Sequence, residues 1–143
     1  MRRLIVDTCI WYALLDKADD KHNYADEIER VLQSHQIIIP FPVLYETLNT
    51  RFVKNNYQQC QRIFDFINNP AKVTIVPDDR YREKALQIIN QNSSKKQQHA
   101  LVDLVIRLMM EDVNLGPLAV YSFNVDDFSG VGNTEVISPQ LVL

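Results

Sequence analysis

Short runs of apolar, often β-branched residues recur along the chain and alternate with longer amphipathic stretches. The amphipathic stretches predict helices at about residues 8–16, 22–34, 42–55, 57–68, 79–91 and 96–112, and the apolar runs predict strands at residues 2–6, 35–41, 72–76, 118–122 and 134–138. Strands that alternate with helices in this way are typical of a parallel sheet covered on both faces. We therefore expect one domain over residues 1–143, an α/β fold in which a three-layer α/β/α sandwich encloses a central, mostly parallel sheet.

The most apolar stretch of the sequence predicts the helix at residues 96–112. Ser94 and Gln97 have the spacing of a capping box at its start. Asp103 and Arg107 are two of the few charged residues in a segment that is otherwise apolar around its whole circumference, so we expect a largely buried helix. Its main apolar repeat, at helical spacing, consists of Leu101, Leu104, Val105 and Leu108.

Composition and charge indicate a globular domain with no excess of positive charge. The sequence is 46% hydrophobic and 23% charged, and its formal net charge is −3. This charge argues against binding nucleic acid by bulk electrostatics, but a carboxylate site counts as negative before a metal binds, so a nuclease is not excluded. Local phosphate contacts or an ordinary solvated surface are equally good interpretations of the basic residues Arg51, Lys54, Arg62, Arg80, Arg82, Lys95 and Lys96.

The two cysteines and the apolar N-terminal run bear on localisation. Cys9 and Cys60 each lie in an apolar stretch without a nearby zinc-like partner, so we expect free thiols and a reducing compartment. Asp7 interrupts the N-terminal apolar run, and no small-residue cleavage site follows it. Because no stretch approaches the ~20 apolar residues of a membrane span, we expect a cytoplasmic protein without membrane association.

Acidic residues follow the predicted strands at several separate points of the sequence. Asp7 ends the first strand, and Glu46 comes soon after the second. Ligands of open α/β sheets gather beyond the carboxyl ends of the strands, so residues at these positions are candidates for function. Further candidates are Asp103 on the apolar helix and Asn124, Asp126 and Asp127 in the SFNVDDF segment (122–128) after the fourth strand.

Each candidate also has a purely structural interpretation. Asp7 could cap the helix that starts at Thr8, Glu46 could be a first-turn glutamate stabilised by the helix dipole, and Asp103 could pair with Arg107 four residues on. Asn and Asp are also common in turns for local reasons. Taken together, however, hard carboxylate oxygens suit Mg²⁺ or Mn²⁺, which can activate a water and stabilise charge on a phosphoryl oxygen.

The acidic segments, read in order, resemble the signatures of the PIN domain family. Weaker features of that family are the H-x-x-A spacing of His22 and Ala25 and the late segment GVGNTEVISP (130–139). The resemblance covers nearly the whole chain and implies a PIN-like fold. The segments that carry it are VDT (6–8), YET (45–47), LVD (101–103) and SFNVDDF (122–128).

This resemblance implies a role for each matching residue. The fourth acidic position is Asp127, before Phe128, with Asn124 as its neighbour and Asp126 as a solvated bystander. Hydroxyl groups of Thr8 and Ser122 would support the site by hydrogen bonding. The catalytic residues, which would also bind Mg²⁺ or Mn²⁺, are Asp7, Glu46, Asp103 and Asp127.

At the level of function, the resemblance implies a metal-dependent endoribonuclease that hydrolyses RNA phosphodiester bonds. Many bacterial members are VapC-like toxins of type II toxin–antitoxin systems, which implies a homodimer and a cognate antitoxin. The main alternative is a PIN-fold adaptor that has lost catalysis and binds RNA or protein. Asn124 keeps this alternative open, because many members of the family carry Asp at the matching position.

Other enzyme folds that begin with an Asp after a strand fit less well. A haloacid-dehalogenase-like phosphatase needs a second Asp where Cys9 stands. A receiver domain needs a late Lys that the last loops lack, and a Rossmann domain needs a glycine-rich turn after the first strand. These differences disfavour all three.

Overall fold

A computed structural model describes residues 3–92, 99–116, 118–132 and 134–141. The strands are β1 (Arg3–Val6), β2 (Gln36–Pro40), β3 (Val73–Val76), β4 (Leu118–Tyr121) and β5 (Glu135–Ile137). The helices are α1 (Thr8–Leu15), α2 (Ala25–Gln33), α3 (Phe41–Thr47), α4 (Thr50–Asn55), α5 (Tyr57–Ile67), α6 (Asp79–Gln91), α7 (Leu101–Glu111) and α8 (Val125–Phe128). Short 3-10 helices at His22–Tyr24 and Val113–Leu115 complete the described elements.

The strands form one parallel sheet in the order β3-β2-β1-β4-β5. In the central strand, Ile5 lies opposite Ile38 of β2 and Val120 of β4, and all three side chains are fully buried. Strands that are apolar on both faces need cover on both sides, which explains the continuous apolar runs in the sequence. The expected parallel sheet is confirmed.

Two layers of helices cover the sheet. The chain moves from β1 to β2 to β3 in one direction and then returns across β1 to β4 and β5. Since parallel crossovers are right-handed, this reversal puts α1–α5 on one face and α6–α8 on the other. Contacts of α1 with α2 and α3, and of α7 with α6 and α8, agree with this assignment. The predicted three-layer α/β/α sandwich is confirmed.

The helix predicted at residues 42–55 is in fact two helices, α3 and α4. Leu48 and Asn49 separate them, and the Asn49 side chain accepts a hydrogen bond of 3.0 Å from the backbone N–H of Phe52, which starts α4. Asparagine is a favoured N-cap residue, so it can start a new helix inside an amphipathic stretch. This break changes the position of Glu46, which lies in the last turn of α3.

The helix predicted at residues 96–112 begins at Leu101, because Ala100 is extended and is the N-cap residue. The proposed capping residues Ser94 and Gln97 lie outside the described residues. Leu101 was expected in the core, but its side chain is 39% exposed. From Leu104 onwards the helix is largely buried, as predicted. The later start places Asp103 in the first turn of α7.

The cysteines and the helix lengths bear on two further expectations. Cys9 and Cys60 are both free thiols, as predicted, with Cys60 buried and Cys9 partly buried. Among the described residues, no helix has both the length and the apolar character needed to cross a bilayer.

Candidate active site

Asp7 lies at the carboxyl end of β1, at the point where the sheet order reverses. Its side chain is buried, with 5% of the residue exposed. As the N-cap of α1, its Oδ1 accepts a 2.8 Å hydrogen bond from the backbone N–H of Thr8. Its Oδ2 accepts a 2.7 Å bond from the Ser122 hydroxyl, which follows β4. The capping interpretation is therefore correct for one oxygen, while the second faces the neighbouring strand end.

Cys9 also contacts this carboxylate, which the sequence did not suggest. Its Sγ lies 3.5 Å from both Asp7 Oδ2 and Ser122 Oγ. Burial, followed by the negative charge of Asp7, raises the pKa of Cys9 to about 12. Cys9 is therefore a neutral thiol at physiological pH and adds no further negative charge to the site.

Glu46 is held beside Asp7 by Thr8. The Thr8 hydroxyl donates a 2.8 Å hydrogen bond to Glu46 Oε1, while the Thr8 N–H binds Asp7. The expected first-turn position of Glu46 is wrong, since it lies in the last turn of α3, where the helix dipole does not stabilise a carboxylate. One residue of α1 thus orients two of the predicted acids.

Tyr12 and Asn49 fix the backbone of Glu46. The Tyr12 hydroxyl donates to the Glu46 carbonyl. The Asn49 amide donates to the same carbonyl at 2.9 Å and to Tyr12 Oη at 2.8 Å. Neither residue was predicted from the sequence, because neither belongs to an acidic segment and their contacts join α1 to the α3–α4 junction.

Asp103 lies on α7, in the helical layer opposite to the one that carries Glu46. The pKa of Asp103 is raised from 3.8 to about 7. Burial is the largest cause, and the negative charges of Asp7, Asp127 and Glu46 follow, in that order. The charges of the three other predicted acids thus all act on Asp103, which favours a shared site at the carboxyl edge of the sheet.

Arg107 does not neutralise Asp103 by direct contact. Among the described residues, no hydrogen bond or ion pair joins the two, and Arg107 is the last of the five influences on the Asp103 pKa. Instead, the Arg107 guanidinium donates to the Asp127 carbonyl at 2.7 Å and to the Ser129 carbonyl at 3.5 Å. The salt-bridge interpretation of Asp103 is therefore wrong, and Arg107 ties α7 to the segment that carries Asp127.

The segment after β4 contains one buried and several exposed candidates. Ser122 is fully buried, and its hydroxyl also accepts a 2.9 Å bond from the Asn124 N–H. Asn124 and Asp126 are exposed, whereas Asp127 is partly buried. Asp127 acts on the Asp103 pKa, and Asp126 is not among the causes. This difference supports the choice of Asp127 as the fourth acid.

The donor atoms fit a hard divalent cation, because all are carboxylate or hydroxyl oxygens. Mutual repulsion that raises the Asp103 pKa is also what a bound cation would relieve. Among the described residues, no three His, Cys, Asp or Glu side chains are grouped tightly enough to form a metal centre as they stand. The chemistry of the residues therefore fits Mg²⁺ or Mn²⁺, and their joint ligation of one ion stays a prediction.

Arg107 provides a test of how Asp127 is positioned. We expect Arg107→Ala to destabilise the protein by about 1–2 kcal/mol, because two carbonyls lose a charged donor. Amide hydrogen exchange in α8 should accelerate more than exchange in α1. The matched control is Arg82→Ala, which removes an exposed pair with Asp78 on α6 and should leave α8 unchanged. Equal exchange rates in α8 for both variants would contradict this role of Arg107.

Comparison with known proteins agrees with this architecture. No protein-family model and no curated protein matches the sequence. Among solved structures, VapC20 of Mycobacterium tuberculosis, described as a sarcin–ricin loop cleaving toxin, matches with a TM-score of 0.66 and 19% identity over 92% of this chain and 98% of that one. A toxin–antitoxin complex from Klebsiella pneumoniae matches with a TM-score of 0.60 and 20% identity over 97% and 99%.

A third similar structure is VapBC2 of Rickettsia felis bound to a fragment of its promoter DNA, with a TM-score of 0.59 and 16% identity over 95% of this chain and 98% of that one. At these identities, the likeness establishes the fold. The sheet order, the two helical layers and these neighbours together show that the chain has the PIN-like fold of the VapC toxins.

Proposed function

We propose that this protein is an endoribonuclease that depends on Mg²⁺ or Mn²⁺ and acts as the toxin of a type II toxin–antitoxin pair. The observation that carries the proposal is that Thr8 hydrogen-bonds to both Asp7 and Glu46 at the carboxyl end of β1. The raised pKa of Asp103, to which the charges of Asp7, Asp127 and Glu46 contribute, agrees with it. Carboxylates from both helical layers and two strand ends have no common structural task there, whereas a cation-dependent reaction requires them.

The predicted site residues differ in how deeply they are buried. Asp7 is buried and fixed by Ser122 and Thr8, whereas Glu46 is exposed and within reach of a substrate. Residues that would hold the cation are Asp7, Glu46, Asp103 and Asp127. When bound, the cation supplies Lewis-acid stabilisation of charge on the phosphoryl group and a lowered pKa for water. The hydroxyls of Thr8 and Ser122 keep the carboxylates oriented, so little reorganisation is needed when charge develops.

The structural neighbours support the biological part of the proposal. Their descriptions include a toxin that cleaves the sarcin–ricin loop and complexes of toxin with antitoxin. By analogy, we propose RNA as the substrate, a cognate antitoxin as the partner and a homodimer as the assembly. Free Cys9 and Cys60 accord with a reducing, cytoplasmic location.

The direct test is a cleavage assay with purified protein. We expect single-stranded RNA to be cut in the presence of Mg²⁺ or Mn²⁺ and to remain intact in EDTA, because the carboxylates alone cannot stabilise charge on the phosphoryl group. DNA of the same sequence serves as the substrate control. RNA cleavage at full rate in EDTA would contradict the cation dependence of the proposal.

The adaptor alternative rests on Asn124, which stands where many PIN domains carry Asp. Thermal unfolding of the protein with and without Mn²⁺, measured alongside the cleavage assay, distinguishes the two functions. If the site binds the ion, the free energy of unfolding of the protein should rise by RT ln(1 + [L]/Kd), which is about 2.7 kcal/mol when the Mn²⁺ concentration is 100 times Kd. Unchanged stability together with intact RNA would favour the adaptor.

A further inference from the structure

A pocket of about 590 Å³ lies where the end of α1 meets the junction of α4 and α5. Its wall combines three basic side chains with one carboxylate and several amides. We name it the basic pocket, and its defining residues are Lys17, Arg51, Lys54 and Tyr57.

Positive charge in the basic pocket is largely unpaired. Arg51 comes within 3.8 Å of Asp16, but the Arg51 side chain is 80% exposed. Asp16 also accepts a 3.0 Å hydrogen bond from the backbone of Ala18. Since Asp16 is the sole acidic residue among those that line the pocket, the cations exceed it in number. This local excess contrasts with the net charge of −3 for the whole chain.

The basic pocket is close to the acidic site. Tyr12 donates its hydroxyl proton to the Glu46 carbonyl, and its pKa responds to the charges of both Glu46 and Arg51. Tyr12 therefore lies between the two regions. A single strand that occupies both regions would therefore pass Tyr12.

An aromatic ring stands at the wall of the pocket. Tyr57 is 78% exposed, so most of its ring is open to solvent. It is also the first residue of α5, whose N-cap residue Asn56 makes no side-chain capping bond. The positive end of this helix dipole adds to the charge of the pocket, and the exposed ring offers a face for stacking.

We propose that the basic pocket binds backbone phosphates of single-stranded RNA at the far end of α1 from the cleaved bond, with a base stacked on Tyr57. The proposal rests on the ribonuclease function above. Without a divalent cation, the acids of the catalytic site repel a polyanion, so affinity for RNA under that condition must come from cations outside that site. Arg51 and Lys54 supply such cations, and Tyr57 supplies a contact that double-stranded RNA, with its bases paired, cannot use.

Binding is tested with a fluorescein-labelled single-stranded RNA oligonucleotide in EDTA, by anisotropy at several salt concentrations. Arg51→Ala and Lys54→Ala should each weaken binding and reduce the magnitude of the salt slope by about 0.7, as for one lost phosphate contact on a single strand. Tyr57→Leu should weaken binding about fivefold or more with little change in slope. The matched control is Lys84→Ala on α6, an exposed lysine in the opposite helical layer, which should leave affinity and slope unchanged.

Cleavage kinetics separate this proposal from the ribonuclease function. With Mg²⁺ or Mn²⁺ present, the pocket variants should raise KM more than they lower kcat. If they cut and bind RNA like Lys84→Ala, the basic pocket is not an RNA site, although the nuclease function stands. If wild-type protein binds RNA through the pocket but never cuts it, the nuclease function fails instead. Tighter binding of polyglutamate than of RNA at an equal concentration of charges would indicate an acidic protein partner and would overturn the proposal.

Discussion

Asp103→Asn is expected to abolish RNA cleavage and, at the same time, to stabilise the protein in the absence of divalent cations. Loss of one ligand charge should lower the cleavage rate on the order of 10³-fold or more, because the cation contributes several kcal/mol of transition-state stabilisation. The amide is nearly isosteric with the carboxyl group. Asp103 makes no hydrogen bond to another described residue that the substitution would break.

The stability gain follows from the raised pKa of Asp103. In the folded protein this pKa is about 7, against 3.8 for an unperturbed carboxyl. The stabilisation that protonated, neutral Asp103 provides is complete below the pKa of Asp103 in the unfolded protein. It is lost as pH rises through the pKa of Asp103 in the folded protein. Asparagine stays neutral, so the advantage of Asp103→Asn should grow between about pH 4 and pH 7 and then level off.

Denaturant unfolding in EDTA at about pH 5 and about pH 8 measures this difference. After allowance for screening at a partly exposed group, we expect a gain of about 1–2 kcal/mol at the higher pH. Asp126, an exposed residue that precedes Asp127 in the sequence, provides the control, since Asp126→Asn should leave both stability and cleavage unchanged. Retained cleavage in Asp103→Asn, or an equal gain at both pH values, would contradict the assignment of Asp103.

Asp7→Asn is expected to abolish cleavage as well, but with a loss of stability. Asp7 is buried and accepts from the Thr8 N–H and the Ser122 hydroxyl. An amide nitrogen cannot accept the Ser122 proton, so the buried hydroxyl loses its anionic acceptor, at a cost of about 1–3 kcal/mol. The fold should survive, because the remaining amide oxygen can still cap α1.

The two substitutions should abolish cleavage alike but change the stability in opposite directions, which distinguishes the roles of Asp7 and Asp103. Ser122→Ala is the informative companion to Asp7→Asn, because it removes the same hydrogen bond and keeps the charge of Asp7. We expect Ser122→Ala to reduce cleavage far less than Asp7→Asn, as measured by initial rates with Mn²⁺. Equal activity losses in both variants would show that orientation, and not charge, is what Asp7 contributes.

The sheet could be predicted from sequence because its strands are apolar on both faces and lie between clear helical repeats. Helix boundaries were harder to predict. Asn49 sits inside an amphipathic stretch, and only the folded chain shows that its side chain starts α4. The start of α7 was misplaced because Ser94 and Gln97 have the spacing of a capping box, whereas Ala100 is the N-cap residue.

The acidic residues of the candidate site could be found from strand ends and from the resemblance of their segments to a known family. Their partners could not. Tyr12 and Asn49 act on Glu46 across separate helices, and nothing in their local sequence marks that contact. Arg107 has the spacing of a helical ion pair with Asp103, yet its guanidinium reaches the carbonyl of Asp127 instead. Spacing along a helix restricts the possible partners, and tertiary packing selects among them.

Helix α1 is flanked by two acidic cap residues, Asp7 in the acidic site and Asp16 on the rim of the basic pocket. Its eight residues, at 1.5 Å each, span about 12 Å. The packed core holds this helix on both sides, since Ile10, Trp11 and Leu14 are buried. If RNA binds at both ends as proposed, the fixed length of α1 sets the distance between the phosphate bound in the basic pocket and the cleaved bond.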